Sequence, residues 1–288
     1  MQGFFSSVKL LPGRLSARLN GMAASAGEQV QEIHLRLGRV PTVLLPEGER
    51  ALPGGETVSR ADLLFVLERA CQSSPYAAEE SVRRGYICAP GGVRVGLCGR
   101  MRPGTQTSWA AGGLTSVNIR IPREVRGCAE GLCGSPFPST LIISPPGGGK
   151  TTLLRDMVRL LSDGGARISL CDERGEVAAM GEDGFGFDVG EHTDVLSDLP
   201  KRQAALQLLR TMNPQILAMD EITGGEDASV CLACAGCGVK LLATAHAADL
   251  QELRAGALYG SLARSGVFER VITIRQSPGG REYREDCL

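Results

Sequence analysis

The sequence predicts an α/β protein: a parallel sheet flanked by helices over residues 139–288, preceded by a smaller α+β domain over residues 1–138. Three observations carry this. Apolar strand-like runs alternate with helical stretches through the second half. A glycine-rich turn at 144–151 joins one of those runs to a helix. Residues 131–139 (GLCGSPFPS) hold prolines and glycines that continue neither helix nor strand, so the domain boundary falls there.

In the first half, residues 30–37 (VQEIHLRL) alternate polar and apolar, as a half-buried strand does. Residues 42–45 follow Pro41 as a second strand. Residues 59–71 (SRADLLFVLERAC) read as the one helix of this half, capped by Ser59. Residues 85–98 form a hairpin around Pro90-Gly91-Gly92, and 116–121 a further strand closed by Pro122. In the second half, strands are expected at 140–143, 166–171, 215–220 and 239–244, and helices at 150–162, 201–212 and 226–235. Between Cys171 and Pro200 runs a long polar stretch with no clear period; loops of that length usually carry function or move.

Composition narrows the class. The chain has 288 residues, suiting about two domains. Its 43% hydrophobic content suffices for a buried core. A net charge of −1 and 4% aromatics argue against a nucleic-acid coat and against stacking platforms, so no direct nucleic-acid partner is expected. The first twenty residues are broken by Pro12, Gly13, Arg14 and Arg18 before a signal-peptide core can form, and no run approaches the length of a membrane span. The ten cysteines are therefore expected as reduced thiols in a cytoplasmic protein.

The strongest motif is Ser144-Pro145-Pro146-Gly147-Gly148-Gly149-Lys150-Thr151, followed by Thr152. It matches G-x-x-x-x-G-K-[ST] except that Ser144 replaces the first glycine. Backbone N–H groups of such a loop turn inward around phosphate oxygens, at a helix N-terminus that favours anions. Lys150 would reach the β- and γ-phosphates and the Thr151 hydroxyl would ligate Mg²⁺. The flanking strand and helix disfavour an incidental glycine-rich turn. Residues 216–221 (ILAMDE) deliver Asp220 and Glu221 to the carboxyl edge of the sheet, where ligands bind in open α/β folds. Asp220 would hold Mg²⁺ through water, and Glu221 would act as general base on the attacking water; the competing reading is a solvated acidic pair. Asp172-Glu173-Arg174 and Thr244-Ala245-His246 also end strands. His246 is a candidate to sense the γ-phosphate or the water, against the alternative of a structural histidine, and Glu173 is a candidate on the same ground.

The order of these motifs resembles the secretion ATPases of type II, type IV and pilus-retraction systems. That family's phosphate loop, acidic box, Asp-Glu strand and His box match residues 144–152, 172–176, 216–221 and 244–246. A narrower resemblance, to the stage III sporulation AA proteins of endospore-forming bacteria, rests on 145–156 (PPGGGKTTLLRD), 172–177 (DERGEV), 213–227 (NPQILAMDEITGGED), 91–99 (GGVRVGLCG) and 238–246 (GVKLLATAH). The resemblance implies a RecA/AAA-like P-loop ATPase domain using ATP and Mg²⁺. It also implies a homo-hexamer whose N-terminal domain moves against the ATPase domain. N-terminal arginines would neutralise transition-state charge; Arg94, Arg120 and Arg123 are the candidates, each also readable as a salt-bridged surface arginine. Coupling to membrane proteins of a sporulation channel between mother cell and forespore follows, with the chain on the mother-cell side of that membrane.

Other signals carry less. Cys231, Cys234 and Cys237 have the spacing of metal ligands but lie in a small-residue helix, where one packed face is the simpler reading. Trp109 reads as a loop anchor. A transporter ATPase of the ABC type needs an LSGGQ-like segment, and residues 194–201 (DVLSDLPK) are a poor match. Two functions stay in competition: an ATP-hydrolysing motor, and a slow nucleotide-gated assembly module, which the Ser144 departure keeps open.

Overall fold

The structure, a computed structural model, describes residues 2–26, 29–71, 85–100, 113–122, 124–180, 186–197, 199–277 and 280–288. It divides into two compact units, Met1–Glu124 with Ala179–Phe187, and Val125–Ala178 with Asp188–Leu288.

The first unit opens with helices α1 (Gln2–Lys9) and α2 (Gly13–Ala26). Strands β1 (Glu32–Arg36), β2 (Thr42–Leu45) and β3 (Gly48–Ala51), helix α3 (Arg60–Ala70), and strands β4 (Tyr86–Ala89), β5 (Val93–Gly99) and β6 (Leu114–Arg120) follow. The strands form an antiparallel sheet in the order β3-β2-β1-β6-β5-β4. Strand alternation sends Ile33, Leu35, Val95, Val117 and Ile119 to one face, where they pack with Phe4, Val8, Leu15 and Leu19 of the first two helices and Leu63 and Val66 of α3. Ser59 caps α3 in a capping box with Asp62. The expectation of one helix here is corrected: the described residues of this unit hold three. Pro12 and Gly13 do not break helical structure; they separate two helices, and the Pro12 carbonyl accepts the N–H groups of Leu15 and Ser16 in the first turn of α2.

The second unit holds β7 (Thr140–Ser144), α4 (Lys150–Asp163), β8 (Ile168–Asp172), β9 (Thr193–Ser197), α5 (Lys201–Thr211) and β10 (Ile216–Met219). It continues through α6 (Gly225–Gly236), β11 (Lys240–His246), α7 (Leu250–Ala255), α8 (Ala257–Arg264), β12 (Arg270–Ser277) and β13 (Gly280–Cys287). The sheet order is β13-β12-β7-β11-β10-β8-β9, parallel except for the β12–β13 hairpin. Neighbouring residues of one strand serve opposite cores, which is why these strands read as continuous apolar runs. Ile142, Leu170, Ala218 and Leu242 pack against Leu153, Leu154, Met157 and Val158 of α4. Leu141, Ile143, Leu217, Met219, Leu241 and Ala243 pack against α5 and α6. Each fully buried side chain of this kind contributes roughly 1.5–3 kcal/mol.

The sequence boundary at 138/139 gives way to a break at 124/125. Residues 125–138 lie against α4: Ala129 and Leu132 are buried in its core, and the Ala129 N–H donates to Asp156 Oδ2 at 2.9 Å. The polar stretch 171–200 contains an edge strand, β9, paired with β8 from Ile168↔Thr193 to Asp172↔Ser197. Cys231 and Cys234 are buried in α6 as expected, but Cys237 is its exposed C-cap and leaves their face. Among the described residues no cluster of His, Cys, Asp and Glu could hold a metal ion, and no helix is long and apolar enough to cross a membrane.

Candidate functional site

Strand order builds the site. β11 lies between β7 and β10, with His246 opposite Ser144 and Ala243 opposite Met219. Thr244 and His246 therefore emerge between the glycine-rich loop and the Asp220-Glu221 turn. All three strand ends open on one cleft of about 400 Å³, lined by Pro146, Gly147, Gly149, Lys150, Thr151, Thr152, Arg174, Glu176, Asp220, Glu221, His246 and Arg281.

The loop survives without its first glycine. Ser144 is buried at the end of β7, and its Oγ donates to the Pro145 carbonyl at 2.9 Å. A Cβ at Gly148 would lie 2.3 Å from Ser144 Oγ and 2.7 Å from Ser144 Cβ, so Gly148 makes the room that Ser144 takes. Gly149 caps α4 at φ +98°, the left-handed region that favours glycine. Lys150, only 7% exposed, donates from Nζ to the Ser144 carbonyl at 3.0 Å and the Pro145 carbonyl at 3.3 Å. Burial lowers its pKa, against the pull of Asp220 and Glu221.

Nζ also lies 3.0 Å from His246 Nδ1. An ammonium has only donors, so Nδ1 accepts and the ring proton sits on Nε2. Nε2 then donates to Glu221 Oε1 at 2.8 Å. The other carboxylate oxygen, Oε2, takes Arg174 at 2.5 Å. Glu221 itself is one of three non-glycine residues with positive φ among the described residues, at +52°. Thr244 holds that turn: its Oγ1 accepts the Glu221 N–H at 2.7 Å and its carbonyl the Ile222 N–H at 2.8 Å. The Asp220 carboxylate takes one hydroxyl on each oxygen, Thr244 at 2.5 Å and Thr151 at 2.8 Å. A hydroxyl and a carboxylate side by side at the start of the loop helix are hard oxygen donors, which suits Mg²⁺ held by few protein ligands.

The 172–178 loop is fixed from both sides. Buried Asp172 accepts N–H bonds from Glu176 and Val177 on Oδ1, at 2.9 and 3.1 Å, and from Ala178 on Oδ2 at 2.8 Å. Burial raises its carboxyl pKa in spite of these bonds. Arg155 of α4 donates to the Val177 and Glu176 carbonyls at 2.5 and 2.7 Å. Glu173, expected among the catalytic groups, does not line the cleft. It pairs at 2.7 Å with Lys201, whose 6% exposed ammonium requires a counter-charge. Its neighbour Arg174 enters the site instead. Arg174 is visible in the DER triplet once the loop geometry is known; Arg281, in the terminal hairpin, had no motif to mark it.

In the other unit, Arg94 and Arg120 are register partners on β5 and β6. The Arg94 guanidinium stacks 4.0 Å from the Tyr86 ring centroid, and Arg120 Nε pairs with Glu32 at 3.2 Å. Arg123 and Trp109 lie outside the described residues.

The family described as "Sporulation stage III, protein AA" matches residues 7–283. Stage III sporulation protein AA of Bacillus subtilis (strain 168) is 31% identical over 283 residues, covering 94% of this chain and 91% of that protein. Among solved structures, the pilus retraction motor PilT with bound ADP is similar with a TM-score of 0.62 at 14% identity, over 94% of this chain and 82% of its own. The Legionella pneumophila ATPase DotB gives 0.61 at 14% identity, over 93% and 78%. At such identity these likenesses speak to the fold, and they bear out the expected RecA-like α/β architecture. By the extent of the family match and the full-length identity to the Bacillus protein, this chain belongs to the sporulation stage III protein AA family.

Proposed function

We propose that the chain is an Mg²⁺-dependent ATPase that works as a hexameric motor on the membrane proteins of a sporulation channel, from the mother-cell side. The observation that supports this most is the unbroken chain of contacts from Lys150 through His246 to Glu221, set beside the Thr151–Asp220 pair in one cleft. Lys150 and the amides of 147–151 would hold the ATP phosphates; Thr151 and Asp220 would hold Mg²⁺, which neutralises phosphate charge when bound. Glu221 would orient water and accept its proton. His246, bridging Lys150 and Glu221, would couple the occupancy of the phosphate site to the position of that carboxylate. Arg94 and Arg120 are proposed to serve the nucleotide of a neighbouring copy, with Arg123 a third candidate.

A phosphate-release assay with Mg·ATP tests the reading. Lys150→Ala and Glu221→Gln are each expected to reduce turnover at least a hundredfold, and EDTA to abolish it. Undiminished turnover in Lys150→Ala would sink the mechanism. The slow nucleotide-gated module keeps one observation in its favour: both oxygens of Glu221 are engaged, by His246 and by Arg174. Turnover at background in the presence of oligomer and membrane partner, with ATP bound, would select that reading.

A further inference from the structure

We propose that Arg281, on the C-terminal hairpin, is a second phosphate-binding cation that contacts the polyphosphate of the nucleotide held by its own chain. The assignment rests on reading the cleft as an ATP site and adds a residue that the phosphate-loop motif does not contain.

Position is the first argument. A Cβ built on Gly149 would lie 2.7 Å from Arg281 Cζ, 2.8 Å from its Nε and 3.0 Å from one terminal nitrogen. The guanidinium thus rests directly on the residue that caps α4. It lines the same cleft as Lys150, Thr151 and Glu221. The register Gln276↔Arg281 holds it there, because β13 pairs with β12 and β12 with the loop strand β7.

Charge is the second argument. Two other arginines of this hairpin are neutralised, Arg270 by Glu285 at 2.7 Å and Arg284 by Asp286 at 2.9 Å, while Arg275 on β12 pairs with no carboxylate among the described residues and does not line this cleft. No carboxylate among the described residues pairs with Arg281. The Lys150 ammonium and the positive N-terminal end of α4 share its cleft and repel it, although the carboxylates of Glu176, Asp220 and Glu221 line the same cleft. A polyphosphate between these groups turns that repulsion into attraction, and the planar fork of arginine suits two phosphate oxygens at once. The inactive pair at Arg284–Asp286 supplies a control on the same strand.

Binding of fluorescent ATP, ADP and AMP to the full chain, measured by titration, tests this. Arg281→Ala is expected to weaken ATP and ADP on the order of 10- to 100-fold and AMP much less. Arg281→Lys should recover part of the loss, and Arg284→Ala should bind like wild type. ATP affinity unchanged or increased in Arg281→Ala, while Lys150→Ala loses binding, would overturn the Arg281 assignment and leave the ATP site standing. An equal loss in Arg284→Ala would assign the effect to the hairpin fold and overturn it too. A wild-type chain that binds none of the three would overturn both readings.

Discussion

Replacing Asp172 tests how the cleft-side loop is held. Its carboxylate is 1% exposed and accepts three backbone N–H groups, from Glu176, Val177 and Ala178. Hydrogen bonds to a charged acceptor contribute about 1.5–3 kcal/mol each, so Asp172→Ala forfeits roughly 5–9 kcal/mol gross. Removing a buried charge offsets several kcal/mol of that, so about 2–4 kcal/mol net is lost, an estimate that counts the three orphaned amides. Asp172→Asn keeps the two bonds to one oxygen and sets an amide N–H against that of Ala178, which costs about 1–2 kcal/mol. Hydrogen exchange of the 176–178 amides reads this directly: about 30- to 700-fold faster in Asp172→Ala, with Asp172→Asn between it and wild type. Exchange rates equal to wild type in Asp172→Ala would mean that this carboxylate does not hold the loop. The sign with pH is also fixed. The folded carboxyl pKa is raised by burial, so the folded state holds the proton more tightly than the unfolded chain. The stability from this group is greatest below about pH 3.9 and falls as pH rises through the folded value, a decline that Asp172→Asn lacks.

Asp156 behaves oppositely. Burial alone would raise its pKa, but the Ala129 N–H and Arg159 outweigh burial and hold it below the usual value. Its contribution is present above about pH 3.9 and lost as pH falls through the folded value, so Asp156→Ala should flatten the acid limb of urea midpoints measured from pH 7 to 3. Arg174 is 54% exposed, and an exposed ion pair is worth about 1 kcal/mol or less, so Arg174→Ala should raise basal phosphate release at most about fivefold. A hundredfold fall would instead place Arg174 on the phosphates. Burial pushes the Cys171, Cys231 and Cys234 thiols up to about 12, so iodoacetamide at pH 8 should label exposed Cys88, Cys98, Cys237 and Cys287 first, read by mass spectrometry. Equal labelling of Cys231 would contradict the packing reading.

The central sheet was legible because strands buried on both faces leave long apolar runs, and the run before Lys150 needs no tertiary context to be seen. Asp220, Glu221 and His246 were legible for the same reason: each ends such a run. The edges were not. β9 buries none of its residues fully, exposes Asp194, and is polar enough to pass for loop. α1 and α2 hid behind Pro12 and Gly13, whose punctuation looks alike whether it ends one helix or begins the next. Glu173 and Arg174 are adjacent and both charged, and only the buried ammonium of Lys201 decides which of them turns away from the cleft. Arg281 depends on a strand pairing that no local pattern announces.

The contact between Ser144 and Gly148 makes these two positions one steric unit. Glycine at the head of the loop would remove both close approaches to a Cβ at 148, leaving the Pro145 carbonyl at 3.1 Å as the nearest atom. Side-chain volume can thus be exchanged across the loop, present at one end when absent at the other. A phosphate cradle of this shape is defined less by which of its residues is glycine than by the space the two positions share.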